Sequence, residues 1–190
     1  MGNRFEDAGE RGINIGGSTG LRFFRPPLPA PAQEALFEAR DIRVEGNTFT
    51  GGMAPVAFIN VDGAVVRFNT ISRPRRWLLR ILTENTSQGF GPSRRCEFTD
   101  NIVAFRSDEI REAVNIGRGT EPGTFKFARN FWYCLDRPER SRPRLPSEET
   151  GGVYGNDPLF VDPEKGDLGV RPESPARAFG AGALKQPKKG

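Results

Sequence analysis

Apolar and polar positions alternate along four short segments that align on an asparagine: DIRVEGNTF (41–49), AVVRFNTI (64–71), CEFTDNIV (96–103) and FKFARNFW (125–132). Five residues before that asparagine stand Ile42, Ala64, Cys96 and Phe125, and three before it stand Val44, Val66, Phe98 and Phe127. Between these two apolar columns lie Arg43, Val65, Glu97 and Lys126, and two residues after the asparagine come Phe49, Ile71, Val103 and Trp132. Such period-two alternation predicts strands with one buried face. The aligned residues Asn47, Asn69, Asn101 and Asn130 are 22, 32 and 29 apart (69−47, 101−69, 130−101), and Asn3, with Phe5 two residues on, adds a fifth member. A repeat of this length marks stacked units, one supersecondary element per repeat.

A second strand set lies between the first: RGINIGG (11–17), VAFINVDG (56–63), WLLRILTEN (77–85) and AVNIGRG (113–119). Each unit therefore reads as strand, asparagine turn, short strand, loop, strand, turn. An asparagine suits the turn because its side chain tolerates a left-handed backbone and hydrogen-bonds neighbouring main chain. In units stacked about 4.8 Å apart, such side chains can also bond to one another as a ladder. The competing arrangement, unrelated strand pairs of a β-sandwich, gives no reason for one residue type at the same turn of every pair. The expectation is an all-β chain, a right-handed parallel β-helix of about five coils. The chain opens inside what already reads as an asparagine turn, so further N-terminal coils are expected to be missing.

Three long irregular segments interrupt the pattern, at 18–39, 83–93 and 136–152, and loops of this length on a rigid scaffold tend to carry function. The organisation expected is one domain over 1–183 with an insertion at 18–39 and a C-terminal cap at 154–180, followed by a disordered tail at 184–190.

The formal charge of +4 arises from 28 basic and 24 acidic residues, and only five of the basic ones are lysine. Arginine suits bidentate recognition of carboxylates, sulfates or phosphates, though a solvated arginine-rich surface gives the same composition. No nucleic-acid-binding motif accompanies the charge, so nucleic acid is not expected as a partner. Histidine is absent, which removes histidine acid–base chemistry, histidine triads and histidine metal sites. The two cysteines, Cys96 and Cys134, fall in apolar strands and read as buried free thiols. No run of 18 apolar residues occurs, so no membrane span is expected. The opening MGNRFEDAGERG has no apolar core, hence no signal peptide in this chain.

GINIGGSTG (12–20), NVDGAVVRFNTI (60–71), FTDNIVAFRSDE (98–109) and YGNDPLFVDPEKGDLGVRPESPA (154–176) resemble bacterial right-handed parallel β-helix repeat proteins of the pectate-lyase-like superfamily. The resemblance implies a carbohydrate-active protein that acts on or binds polysaccharide, acidic polysaccharide in particular. It implies an extracellular or periplasmic full-length form, with Ca²⁺ as the one cofactor to be considered and no built metal site. It leaves open polysaccharide lyase, glycoside hydrolase, a non-catalytic glycan-binding or structural module, and an inactive fragment of a longer enzyme, because fold does not fix function.

Alternation along the second strand set points Asn14, Arg80 and Asn115 outward on one sheet face, with the register of Asn60 open. Trp77, Glu84, Arg106, Asp108, Glu109 and Arg118 are expected to overhang that face. Arg80, Glu84 and Asp108 are the catalytic candidates: the arginine would neutralise a uronate carboxylate, and the acids would act as acid and base. Asn14, Asn60, Trp77, Arg106, Asn115 and Arg118 are the substrate-binding candidates, Trp77 as a stacking platform beside Arg80. Terminal units of a stack need covering neighbours, so self-association through residues 2–17 is a further expectation.

Overall fold

The computed structural model describes residues 2–24 and 35–183; the expected tail and the middle of the 18–39 insertion lie outside them. Within the described residues the chain is mostly β, and its three larger sheets are parallel. A six-stranded sheet comprises Arg4–Glu6, Thr48–Thr50, Thr70–Ser72, Ile102–Phe105, Phe131–Cys134 and Val153–Tyr154, neighbours in that order. A four-stranded sheet comprises Arg11–Gly16, Ala54–Ile59, Trp77–Leu82 and Glu112–Ile116. A five-stranded sheet comprises Arg43–Glu45, Val65–Arg67, Glu97–Thr99, Lys126–Ala128 and Glu149–Thr150. The chain passes through the six-, four- and five-stranded sheets in turn, four times. A fifth pass omits the four-stranded sheet, and the 3-10 turn Pro138–Arg140 stands in its place.

The register is the one the apolar columns require. Val44 pairs with Val66, Val66 with Phe98, and Phe98 with Phe127, all in parallel. Inward residues of the three sheets form one cluster, with Phe49, Ile71, Val103 and Trp132 from the first, Phe58, Leu79 and Ile81 from the second, and the Val44–Phe127 column from the third. Burying each such side chain contributes about 1.5–3 kcal/mol. Ile42 departs from its column: it is 39% exposed while Ala64, Cys96 and Phe125 are buried. It precedes the edge strand of the five-stranded sheet, where no strand pairs on its outer side among the described residues.

Asn47, Asn69, Asn101 and Asn130 stand at the corner between the five- and six-stranded sheets, all buried. Each Oδ1 accepts twice from the preceding member, once from its Nδ2 and once from its backbone N–H. The side-chain distances are 3.1 Å from Asn3 to Asn47, 3.1 Å to Asn69, 3.1 Å to Asn101 and 3.0 Å to Asn130. The backbone distances are 3.2, 2.9, 3.0 and 3.0 Å. The remaining Nδ2 hydrogen goes to a main-chain carbonyl, such as Val66 for Asn101 and Phe98 for Asn130. The left-handed backbone expected of the asparagines belongs instead to the residue before each one: Gly2, Gly46, Phe68, Asp100 and Arg129 all have positive φ. That kink is what aims the asparagine side chain into the stack.

The row ends on Glu149. Its Oε1 accepts from Asn130 Nδ2 at 2.8 Å and Asn130 N at 3.1 Å, and its Oε2 accepts from Trp132 Nε1 and Tyr154 Oη. All the amides donate in one direction, so their dipoles align and leave a positive donor end. A carboxylate there has the same logic as an acid at a helix N-terminus. Glu149 pairs with Phe127 and thus takes an apolar-column position, while Gly152 occupies the asparagine position. A side chain at 152 would collide with the Glu149 carboxylate and the Tyr154 hydroxyl, so glycine admits the substitute.

The segment 154–180 does not cap the end of the stack but lies across the outer face of the six-stranded sheet. Ile102, Ala104 and Phe131 turn apolar side chains outward, and Phe160, Leu168, Ala176 and Ala181 cover them. The cover is an antiparallel hairpin, Phe160–Asp162 with Asp167–Val170, and the helix Pro175–Phe179, N-capped by Ser174. Gly182 N donates to Asp100 O and Ala183 N to Thr70 Oγ1, both at 2.9 Å. The last pass is closed instead by the 136–152 loop, from which Leu145 packs on the core beside Tyr154.

Cys96 and Cys134 are buried free thiols. Burial pushes the Cys96 thiol up to about 12 and raises that of Cys134. Only the thiolate reacts. Neither cysteine is expected to react with an aromatic disulfide reagent at pH 8 until the protein unfolds, and fast native labelling would contradict the packing. Asn101→Ala should cost about 2–4 kcal/mol in urea unfolding, because it removes four buried side-chain bonds, two accepted from Asn69 and two donated to Val66 O and Asn130 Oδ1, and leaves the Asn69 backbone N–H without its acceptor. Asn3→Ala, at the exposed end, should cost under about 1 kcal/mol; equal losses would show that the ladder contributes nothing as a row.

Candidate binding face

The outer face of the four-stranded sheet carries one lateral row, Asn14–Ala57–Arg80–Asn115, fixed by the parallel register. Leu79 and Ile81 point into the core, so Arg80 must point outward; it ends half-buried. Its Nε donates to Asn115 Oδ1 at 2.9 Å, and its guanidinium carbon lies 4.3 Å from the centre of the Trp77 ring. Its terminal nitrogens make no hydrogen bond among the described residues. Burial, then repulsion from Arg11, lowers its pKa from the ordinary guanidinium value. A cation so placed is under-compensated, and an arriving anion relieves it.

Trp77 is not the exposed platform expected. It is only 7% exposed, with the Arg76 guanidinium 4.4 Å from the ring centre as well as that of Arg80. Its Nε1 donates to Glu112 Oε1 at 3.2 Å, and Asn115 Nδ2 donates to the same oxygen at 3.1 Å. Trp77 therefore holds Arg80 rather than a ligand. Asn60 is corrected more strongly, being fully buried with a left-handed backbone. Its Nδ2 donates to Asn85 O and Gly91 O, and its Oδ1 accepts from Glu84 N and Asn85 N. All four side-chain bonds are internal, so Asn60 fastens the 83–93 loop and has none left for a ligand.

The candidate acids are both in ion pairs. Glu84 receives Arg11 Nη2 at 2.7 Å, and the other end of that guanidinium donates to Asn14 Oδ1 at 3.4 Å. Arg11 Nε is buried without a partner among the described residues. Asp108 takes a two-pronged contact from Arg106 at 3.0 and 2.8 Å, which lowers its pKa and raises that of Arg106. These two belong to the turn between Ile102–Phe105 and Glu112–Ile116, together with Glu109, which pairs with Arg73 at 2.6 Å. Glu84 and Arg118 lie beyond the other ends of the four-stranded sheet's strands. The structure thus gathers Asn14, Arg80, Asn115 and Glu84 on the face, adds Arg11, Arg76 and Glu112, and leaves Arg106 and Asp108 at its entry corner. Arg118 is exposed near the exit. Among the described residues no group of three or more metal-ligating side chains comes together, and no helix is long and apolar enough to cross a membrane.

Arg11 does not stand out in the sequence, and Glu112 does so only as one of several acids at loop edges, with Glu84, Asp108 and Glu109. Each opens a strand at the apolar parity, where alternation predicts a core residue, and only the register shows them reaching the face. No protein-family model, no curated protein and no solved structure matches the chain.

At the same corner Asp136 ties two passes together, accepting from Ser107 N at 2.7 Å and Ser107 Oγ at 2.6 Å. These bonds hold its carboxyl well below the ordinary carboxylate value. A depressed native pKa stabilises the fold above the unfolded value near 4, and that stability is lost as pH falls through the native value. Asp136→Asn should therefore lower the thermal midpoint at pH 7 and narrow the gap between pH 7 and pH 3. An unchanged gap would show that the carboxylate is not held there.

Proposed function

We propose that the three parallel sheets are the sides of a right-handed parallel β-helix, and that the outer face of its four-stranded side binds acidic polysaccharide without cleaving it. The observation that carries this reading is Arg80: half-buried, oriented by Asn115 and Trp77, and centred in a row with Asn14 and Asn115. A desolvated, fixed guanidinium meets a carboxylate or sulfate ester at low entropic cost, and flanking amides suit sugar hydroxyls. Arg11, whose Nη1 donates to Asn14 Oδ1 at 3.4 Å, extends the row beyond Asn14. The resemblance in the repeats favours the same ligand class, and a protein of this kind would meet its ligand outside the cytoplasm.

The acids favour binding over turnover. A hydrolase needs one carboxyl held protonated near neutral pH, which requires a raised pKa. Asp108 is shifted the other way by Arg106, and Glu84 is held by Arg11. With no histidine in the chain, a lyase would need an arginine or lysine as base. Calcium, if used, would bridge the ligand's carboxylates to acids such as Glu84 rather than fill a prebuilt cage.

Calorimetric titration should show binding of polygalacturonate or alginate, weakened by salt, and none of dextran. Arg80→Ala should weaken it at least about tenfold, and Arg80→Lys should recover only part because the planar fork is lost. Prolonged incubation should release neither unsaturated products nor new reducing ends. Equal binding of dextran, or steady product release, would contradict the reading.

A further inference from the structure

The strand Arg4–Glu6 is the outermost of the six-stranded sheet among the described residues, and its outer backbone groups face no other described strand. Its sequence is Arg4-Phe5-Glu6. Phe5 points inward and stacks on Phe49 with ring centres 4.9 Å apart and planes 9° apart, yet stays half-exposed. Arg4 and Glu6 point outward and are exposed, paired with each other. The edge of the five-stranded sheet, Arg43-Val44-Glu45, is likewise unpaired among the described residues, but its inward side chain is already buried, Val44 being 6% exposed. Uncovered apolar surface, open backbone donors and acceptors, and matched charges thus coincide at Phe5.

We propose that two copies of this chain pair through Arg4–Glu6, antiparallel about a two-fold axis at Phe5. In an antiparallel pair, directly opposed residues share a face. An axis at Phe5 sets Arg4 of each copy against Glu6 of the other on the outer face, and Phe5 against Phe5 on the inner. The charge order is therefore self-complementary in this orientation, as an isologous interface demands. The ring stack would run Phe49–Phe5–Phe5–Phe49 through both copies. A parallel approach would set Arg4 against Arg4 and Glu6 against Glu6. The contact also satisfies an exposed edge, a feature that chains otherwise blunt or pair. This inference rests on strand order and not on polysaccharide binding, so either can fail alone.

Sedimentation velocity on the full chain, over a range of concentration, should show a reversible dimer. Arg4→Glu should shift it to monomer at concentrations where the unaltered chain is dimeric, because like charges then oppose, and Glu6→Arg should do the same. The double exchange Arg4→Glu/Glu6→Arg should restore the dimer. Phe5→Cys should form a disulfide between copies under mild oxidation, since opposed residues lie within disulfide reach and both native thiols are buried. A monomer at every concentration overturns the proposal. So does a dimer indifferent to the charge variants, which would lie elsewhere.

Discussion

The buried asparagine row is the constraint on which the remainder of the molecule depends. Each turn from the five-stranded to the six-stranded sheet must carry polar main chain through the interior, and unpaired groups there are costly. A side-chain amide has two donors and an acceptor with two lone pairs, so it can satisfy the turn before it, the turn after it and a nearby carbonyl at once. That arithmetic works only if successive turns stand directly over one another. Once Asn47, Asn69, Asn101 and Asn130 are stacked, the strands on either side must be parallel and in register, and the Val44–Phe127 and Phe49–Trp132 columns fall into line. The row also explains its own end. A one-way series of amides leaves donors at the last member, and Glu149 receives them with a charge of the right sign.

The register set by that row also builds the outer face of the four-stranded sheet. Arg80 aligns with Asn14 and Asn115 because the strands are parallel with no slip between them, and a slip of one residue would bury the arginine. The guanidinium is then fixed by neighbours at matching heights, Asn115 beside it and Trp77 three residues before it. A rigid sheet with a pre-oriented cation, and with Glu84 and Asp108 already engaged by other arginines, is suited to holding an anionic ligand. It is less suited to moving protons. The outer face of the six-stranded sheet is unavailable for such a role, since the hairpin and helix of the C-terminal segment cover it.

Much of this was legible in the sequence, because period-two alternation and a repeated asparagine are local signals with one geometric consequence. The strand sets, the column pairings, the ladder and the outward pointing of Asn14, Arg80 and Asn115 all follow from them. What was not legible depends on through-space reach. Trp77 looks like a platform in a linear reading, and only the packed structure shows two guanidiniums at its ring. Asn60 looks like a ligand contact until the 83–93 loop folds back onto it. The C-terminal segment reads as an end cap in the sequence, because nothing local tells a hairpin over the last strand from one across a face. The outward apolar residues Ile102, Ala104 and Phe131 were the available clue. Glu149 was hidden for a similar reason: an acid in an apolar column reads as the end of the repeat, not as its terminal acceptor.

The central claim, that the asparagine row holds the stack together, is tested most directly by hydrogen exchange measured residue by residue with NMR. The backbone N–H of Asn69 and Asn101 and their side-chain Nδ2 hydrogens should exchange as slowly as the core strand amides of Val66 and Phe98. Side-chain amide protection of that order is unusual, because it needs both burial and a persistent acceptor. Exchange of those side-chain hydrogens at the rate of exposed turns such as Gly119, with the flanking strands still protected, would contradict the account.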